Sequence, residues 1–480
     1  MNAFYDINIL LEATDLTWGW IAFLFFFWIF IFFALVTFIQ MLVGTIAIFS
    51  KFKKTAAEDV YTVLRSNSLP PITFIIPAYN EIKVITHTVK NLLSLSYRYK
   101  KIIIVNDGST DETFAALKTT FNLHRVPPSF PGSLPTAHIR GYYVSNEYPN
   151  LLVIDKDNGN KADALNAGLN ACETEIFVAA DADTLVDDDA LNRLIRPFML
   201  NPETVVAHAS IGLLNGCKIA NNRILEYKFP STLIPGLQAV DYMKSFLIER
   251  MGLSWTKGAL VVPGNFGLFK TKDIVAIGGY DVTSLVEDTE IITNLHKQYL
   301  SKKIPYEITY VPDIVAWTAG PDTVEGLVKQ RLRWYRGTSQ NIWKFRDMCF
   351  NPKYRSIGMF VIPMTFFEKI APLIEISGFV ILFIAAWLTT VEFSIVFAFA
   401  IVSWLYVSMI IVVTVLVDTL VFETYKSWKD FGRIVKCIFA YPLYHYILLY
   451  CRLVGLYVPK KYRKGGWVPD RIDYEKVEKS

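Results

Sequence analysis

Glu175-Ile176-Phe177-Val178-Ala179-Ala180-Asp181-Ala182-Asp183 is an apolar run that stops at two carboxylates one residue apart. A run of that length bounded by acidic residues suits a buried parallel strand that delivers Asp181 and Asp183 to the carboxyl edge of a sheet, where open α/β sheets bind ligands. Strand residues alternate faces, so the spacing predicts that both carboxylates point the same way. Such a pair suits Mg2+ or Mn2+, which keep their remaining positions for water and phosphate oxygens. Asp-x-Asp also occurs in solvated loops and helix caps, so this reading needs support from the rest of the chain.

Outward from that run, short apolar stretches alternate with helical patterns from Pro70 to about Asp347, which predicts an α/β domain over 70–347. Ile72–Ile76 and Ile102–Val105 read as strands joined by one helix, a βαβ unit. Ser109 and Glu112 have capping-box spacing, which predicts a helix starting at Ser109. Phe121–Pro149, rich in proline, reads as an irregular insertion before a third strand at Leu151–Ile154.

Composition places this domain in a membrane protein. Of the 480 residues, 52% are hydrophobic and 15% aromatic, too apolar for a soluble chain of that length. The net charge of +4 is too small to imply a nucleic-acid partner, and no basic run is interleaved with aromatics. The five cysteines are scattered and form no Cys-x-x-Cys pair, against a zinc site or a disulfide framework and in keeping with a reducing compartment.

Trp18–Phe49 is continuously apolar apart from Thr37, Gln40 and Thr45, and is long enough to cross a bilayer, giving an anchor over 1–54. A cleaved signal peptide is disfavoured, because Met1–Thr17 carries Asp6, Glu12 and Asp15 and no basic residue. Lys51, Lys53 and Lys54 put the amino terminus outside and the α/β domain in the cytoplasm. A second membrane region spans 357–458, with crossings expected near Ile370–Leu388 and Phe393–Val421. Glu423–Lys436 reads as an amphipathic surface helix and Cys437–Val458 as a third apolar stretch. Its parity decides where the tail, 459–480, lies; Lys460, Lys461, Arg463 and Lys464 favour the cytoplasm.

Five further stretches sit at strand or helix ends. Tyr79 and Glu81 follow the first strand, where a ring could stack on a nucleobase; Asp107, before Gly108, could accept a hydrogen bond from one. Lys161 stands at a helix start, suited to a diphosphate or ribose. Glu287 and Asp288 open another helix, where a carboxylate could deprotonate a hydroxyl. Gln330, Arg333 and Trp334 lie in a basic helical stretch before the membrane region; Arg333 could clamp a diphosphate and Trp334 could stack on a sugar. Each has a plain structural alternative: turn, exposed lysine, dipole-serving carboxylate, membrane anchor.

In this order, Asp-x-Asp, Glu-Asp and Gln-x-x-Arg-Trp followed by membrane helices resemble the processive membrane-bound family 2 glycosyltransferases, the cellulose, chitin, hyaluronan and poly-N-acetylglucosamine synthases. The resemblance covers about Pro70–Gly337. It implies a GT-A fold, Rossmann-like with a mostly parallel sheet and N- and C-terminal transmembrane helices. It also implies inverting transfer from a nucleotide sugar, a UDP-sugar by family habit, to a growing β-linked polysaccharide exported through the membrane region. The alternative is transfer of one sugar to a lipid acceptor. By the same resemblance Asp181 and Asp183 hold Mg2+ or Mn2+, and Tyr79, Glu81, Asp107, Lys161 and Asp181 form the nucleotide site. Asp288, with Glu287, acts as catalytic base, and Gln330, Arg333 and Trp334 lie between diphosphate and acceptor. Gly264-Asn265-Phe266-Gly267 resembles the loop beside the acceptor, and Gly466–Arg471 the tail motif of the poly-N-acetylglucosamine synthases. A multi-pass protein of the plasma membrane is implied, with room for accessory export or assembly subunits. Val286 where many members have threonine, Asn106 for a frequent aspartate, the longer insertion and the lack of a cyclic-dinucleotide domain are departures. The donor sugar is not legible, because it depends on pocket shape.

Overall fold

A computed structural model describes residues 2–57, 69–127, 130, 132–388, 392–422, 424–425 and 427–459; the tail motif Gly466–Arg471 lies outside them. Its centre is a mixed ten-stranded sheet. In chain order the strands are β1 (Ile72–Ala78), β2 (Lys100–Asp107), β3 (Leu123–Val126), β4 (Ile139–Ser145), β5 (Leu151–Lys156), β6 (Ile176–Ala180), β7 (Leu185–Val186) and β8 (Thr204–Leu213). A small separate hairpin, β9 (Lys218–Ala220) and β10 (Arg223–Glu226), precedes β11 (Phe266–Lys270) and β12 (Glu307–Thr318). Their order across the sheet is β3-β4-β5-β2-β1-β6-β11-β8-β12-β7.

The middle strands β5, β2, β1 and β6 are parallel. Helices cover both faces, which is why β1, apart from Thr73, and β6 are apolar and both are buried at every position. The helix Lys161–Asn170 lies so close to β1 that a Cβ at Gly168 would stand 2.2 Å from the Ile75 side chain. In register, β2, β1 and β6 end side by side, bringing Asp107, the Tyr79-Asn80-Glu81 turn and Asp181 to one edge. This is the carboxyl edge where parallel sheets bind ligands.

The structure departs from the sequence expectations in four places. β6 ends at Ala180, so Asp181 and Asp183 belong to a turn closed by Thr184 N–H donating to Asp181 O at 3.2 Å, and do not alternate along a strand. The expected capping box is absent: the helix starts at Thr113, whose N–H donates to Asp111 at 3.0 Å, while Ser109 Oγ accepts from the Asn80 N–H at 3.0 Å and links two strand-end loops. Within Phe121–Pro149, β3 and β4 extend the sheet antiparallel from β5, so the insertion is partly regular. Lastly, the expected break between an amphipathic and an apolar segment near Cys437 does not exist, because Trp428–Gly455 is one helix that passes through Pro442.

Among the described residues, Phe23–Ser50, Phe393–Val421 and Trp428–Gly455 are helices long and apolar enough to cross a membrane. The helix Ile362–Leu388 packs beside them, Phe379 lying 6.0 Å from Phe399, and carries Glu368, Lys369 and Glu375 in its first half.

Candidate active site

One cavity of about 1090 Å³ opens at the sheet edge and is walled by Glu81, Lys161, Asp181, Asp183, Gly264, Asn265, Glu287, Asp288, Gln330, Arg333 and Trp334. Residues far apart in the chain are thus gathered in one place. Lys161 is the hub. It opens its helix, capped by Asn160 accepting from Ala162 N–H and Asp163 N–H, and its Nζ stands 2.6 Å from Asp181 Oδ1 and 2.8 Å from Glu287 Oε1. A third bond reaches Gly264 O at 3.3 Å. One ammonium therefore ties the strand-end turn, the Gly264 loop and the start of the helix Glu287–Lys302.

Asp288 follows on that helix. Its Oδ1 accepts from its neighbour Thr289 N–H at 2.7 Å and its Oδ2 from Gly264 N–H at 3.2 Å, so the carboxylate is aimed rather than free to rotate. Burial raises the Asp288 carboxyl, and the neighbouring Glu287 charge raises it further. For Glu287, burial pushes up but the Lys161 ammonium outweighs it, and its carboxyl ends below the usual range. Burial would discharge Lys161, yet Asp181 and Glu287 outweigh that and hold it charged. Adjacent carboxylates are thus pushed to opposite sides of their normal range: Glu287 is the counter-ion of Lys161, and the Asp288 carboxyl takes up a proton more readily than its neighbour.

Burial and the nearby Asp181 raise Asp183 above the ordinary carboxylate range, while Thr318 Oγ1 lies 3.5 Å from it. Two neighbouring half-buried carboxylates near one lysine are short of positive charge, the condition a divalent cation relieves. Among the described residues no cluster of three or more His, Cys, Asp or Glu ligands occurs. The donor set therefore fits an ion that takes most of its ligands from water and phosphate, such as Mg2+ or Mn2+, and not a protein-caged ion such as structural zinc.

Three expected residues do not reach the cavity wall. Asp107 is buried and turned inward: Oδ1 accepts from Lys156 Nζ at 2.6 Å and Gly159 N–H at 3.0 Å, and Oδ2 from Asn160 N–H at 2.9 Å. The fully buried Lys156 consumes the carboxylate expected to meet a base; no sequence spacing announces this partner on β5. Phe266 is fully buried in β11, its ring 6.4 Å from Phe74, so it belongs to the sheet core and not to the acceptor wall. Tyr79 is half-buried beside the cavity and outside its wall. Conversely, Asp241, Arg250 and Arg331 line it without having been singled out. Arg331 lies inside the Gln330–Trp334 motif, whereas Asp241 and Arg250 sit in ordinary helical sequence that carries no signal.

Beyond Trp334 the same cavity continues among the apolar helices, past Phe30, Phe379, Trp404, Tyr406, Tyr441 and Tyr446. A His445–Glu375 pair at 3.2 Å stands in its wall.

Residues 176–426 match the glycosyl transferase family group 2, and residues 73–130 match glycosyl transferase family 2. The chain is 27% identical over 333 residues to a poly-beta-1,6-N-acetyl-D-glucosamine synthase of Staphylococcus epidermidis, covering 69% of each chain. With the synthase of that name from Staphylococcus aureus it shares 27% over 305 residues, 63% of this chain and 62% of that one. Its fold is like that of a mannosyltransferase from Pyrobaculum calidifontis solved with GDP-Man and Mn2+, at 16% identity and a TM-score of 0.52 over 85% of this chain and 98% of that one. With the first of these matches spanning just over half of its length, on a GT-A sheet whose strand ends carry the acidic cluster, the chain belongs to the family 2 glycosyltransferases and is an inverting enzyme.

Proposed function

We propose that this enzyme transfers a sugar from a UDP-sugar to a growing β-linked polysaccharide and passes the product through its own membrane helices. The carrying observation is the continuity of one cavity from Asp181, Asp183 and Asp288, past Trp334, to Trp404 and Tyr446. The relatives' product makes UDP-N-acetylglucosamine the first donor to test.

In this reading Asp288, held by Gly264 N–H, removes the proton from the acceptor hydroxyl. The hydroxyl then attacks the anomeric carbon from the face opposite the diphosphate, so an α-linked donor yields a β-linked product; the geometry is that of an inverting glycosidase run towards synthesis. Arg333 and Lys161 face the charge that develops on the leaving diphosphate. A divalent cation held by Asp181 and Asp183 would supply further positive charge there. Trp334 offers its ring to the acceptor sugar, and the aromatic side chains beyond it stack on sugar faces without fixing a register, which suits a sliding chain.

A multi-pass plasma-membrane protein with a cytoplasmic catalytic domain and tail follows from the same reading. It is supported by the two ends of Trp428–Gly455: Arg433 Nη1 donates to Phe229 O at 3.0 Å near the start, and Gly455 O accepts from Ser339 Oγ at 3.0 Å at the finish. Both ends rest on the catalytic domain, so this helix lies along its membrane-facing side, and Ile362–Leu388 with Phe393–Val421 make the outward and return crossings.

The test is reconstitution in vesicles with the catalytic face outward and UDP-N-acetylglucosamine outside. Long chains protected from added glycosidase are expected. Single-sugar lipids, or polymer left entirely outside, would refute export and point to a lipid acceptor or an ordinary soluble product.

A further inference from the structure

Arg331 stands one turn before Trp334 on the helix Val324–Lys344, and the mechanism above makes no use of it. Its guanidinium carbon lies 4.5 Å from the centre of the Trp334 ring. Its Nη2 is 2.9 Å from Asp241 Oδ2 and donates to Tyr444 Oη at 3.1 Å. Asp241, on the helix Leu233–Met243, accepts through its other oxygen from Tyr441 Oη at 2.8 Å. The pair is nearly enclosed, with side-chain exposures of 8% and 13%. Burial alone would raise the Asp241 carboxyl, but the Arg331 guanidinium outweighs it and keeps the carboxylate ionised.

A buried ion pair is poor evidence for stability, since desolvation cancels much of the attraction; its better-attested use is to fix one arrangement among several. Here the arrangement fixed is that of an indole. Trp334 has only two side-chain torsions, and its useful face is set by what lies against the other one. A planar guanidinium, anchored at Nη2 by a carboxylate and a phenol from two other helices, is a flat support that a lysine ammonium cannot reproduce. The support also ties the ring to Trp428–Gly455, because Tyr441 and Tyr444 both belong to that helix.

We propose that the Asp241–Arg331 pair, closed by Tyr441 and Tyr444, is a positioning unit that sets the Trp334 ring for the acceptor sugar and leaves donor chemistry alone. This rests on the reading above, in which Trp334 meets the acceptor. Asp241, Arg331 and Tyr441 reach the cavity on the same wall as Trp334, whereas Lys161 and its carboxylates tie together a different set of elements. The unit therefore separates acceptor binding from donor binding.

The experiment uses the full chain in nanodiscs with UDP-N-acetylglucosamine as donor and a short β-linked N-acetylglucosamine oligosaccharide as acceptor. Three quantities are measured: UDP affinity, slow donor hydrolysis without acceptor, and KM and kcat for the oligosaccharide. Arg331→Lys keeps the charge and loses the flat support; it should raise the acceptor KM about tenfold while UDP affinity, donor hydrolysis and kcat stay within about twofold. Asp241→Asn, which keeps the Tyr441 hydrogen bond, should shift the same parameter in the same direction by a smaller factor. In a Trp334→Ala background, Arg331→Lys should add nothing, because the two act as one unit. An unchanged acceptor KM in Arg331→Lys overturns the proposal, as does a parallel fall in donor hydrolysis, which marks a general folding defect. If Trp334→Ala itself leaves the acceptor KM unchanged, the acceptor role of Trp334 fails first and the positioning unit falls with it.

Discussion

A methyl group at Gly264 would test the aim of Asp288, the proposed base, without replacing any titratable group. A Cβ built there lies 3.0 Å from Asp288 Oδ2, 3.1 Å from its Cβ and 3.3 Å from its Cγ. Carbon–carbon contacts settle near 3.5–4.0 Å, so the carboxylate must withdraw by about 0.4 Å. It has little freedom to do so by rotation alone, because the Asp288 Cβ is itself in the clash and Oδ1 is held by Thr289 N–H at 2.7 Å. Misplacing a reacting group by about 1 Å costs on the order of a hundredfold, so a shift of about 0.4 Å should cost on the order of tenfold in kcat, or about 1.4 kcal/mol of transition-state stabilisation. Gly264→Ala should therefore slow acceptor-dependent UDP release about tenfold with UDP affinity unchanged, measured on purified protein with saturating donor. Gly432→Ala is the control: its Cβ meets nothing within 4 Å, and it should leave the rate alone. A Gly264→Ala rate within twofold of the parent would show that Asp288 is not the aimed base, or that the loop yields freely.

Asp288→Asn should lower transfer by about a hundredfold to ten-thousandfold with UDP binding nearly intact, since a base on the acceptor side does not meet the diphosphate; equal loss of UDP affinity would refute the assignment. Glu287→Gln removes a negative neighbour that holds the Asp288 carboxyl up, so the base should stay ionised to lower pH and the acid limb of the kcat/KM profile should move down; an unchanged or upward-shifted limb counts against the pairing. Asp183→Asn should weaken metal-dependent UDP binding more than it alters the acceptor KM, and chelator should abolish activity of the parent enzyme; activity that survives chelation sinks the metal assignment. A lone cysteine at Ser480, in a chain stripped of its native cysteines, should resist an impermeant thiol reagent in intact cells; labelling from outside would place the tail across the membrane.

What could be read from the sequence were the features decided by local chemistry. β1, β2 and β6 announce themselves because a strand covered on both faces must be apolar at nearly every position, and their ends are marked where polar residues take over. Glu287 and Asp288 could be placed at a helix start because the apolar periodicity of Ile291, Ile292 and Leu295, all buried, follows directly. The failures share another cause: a partner distant in sequence outbids the local one. Ser109 has capping-box spacing, yet the Asn80 N–H, from the neighbouring strand end, takes its hydroxyl.

Asp107 shows how far that competition reaches into function. Asn-Asp-Gly at a strand end invites a ligand role, and the carboxylate does stand at the correct edge of the sheet. But β2 and β5 pair so that Asp107 lies opposite Lys156, whose ammonium is fully buried. A buried ammonium must be paired, and Asp107 and Asp163 do it at 2.6 and 2.5 Å. Gly159 and Asn160 N–H then complete the set on Asp107, which holds the 158–160 loop against the strand end and so seats Asn160, the cap of the helix that presents Lys161. The aspartate expected at the nucleotide therefore holds the loop that caps the helix of Lys161, the lysine paired with Asp181 and Glu287. Motif spacing can find the edge at which the cavity opens, but whether the carboxylate there faces that cavity is decided by the neighbouring strand's choice of a lysine.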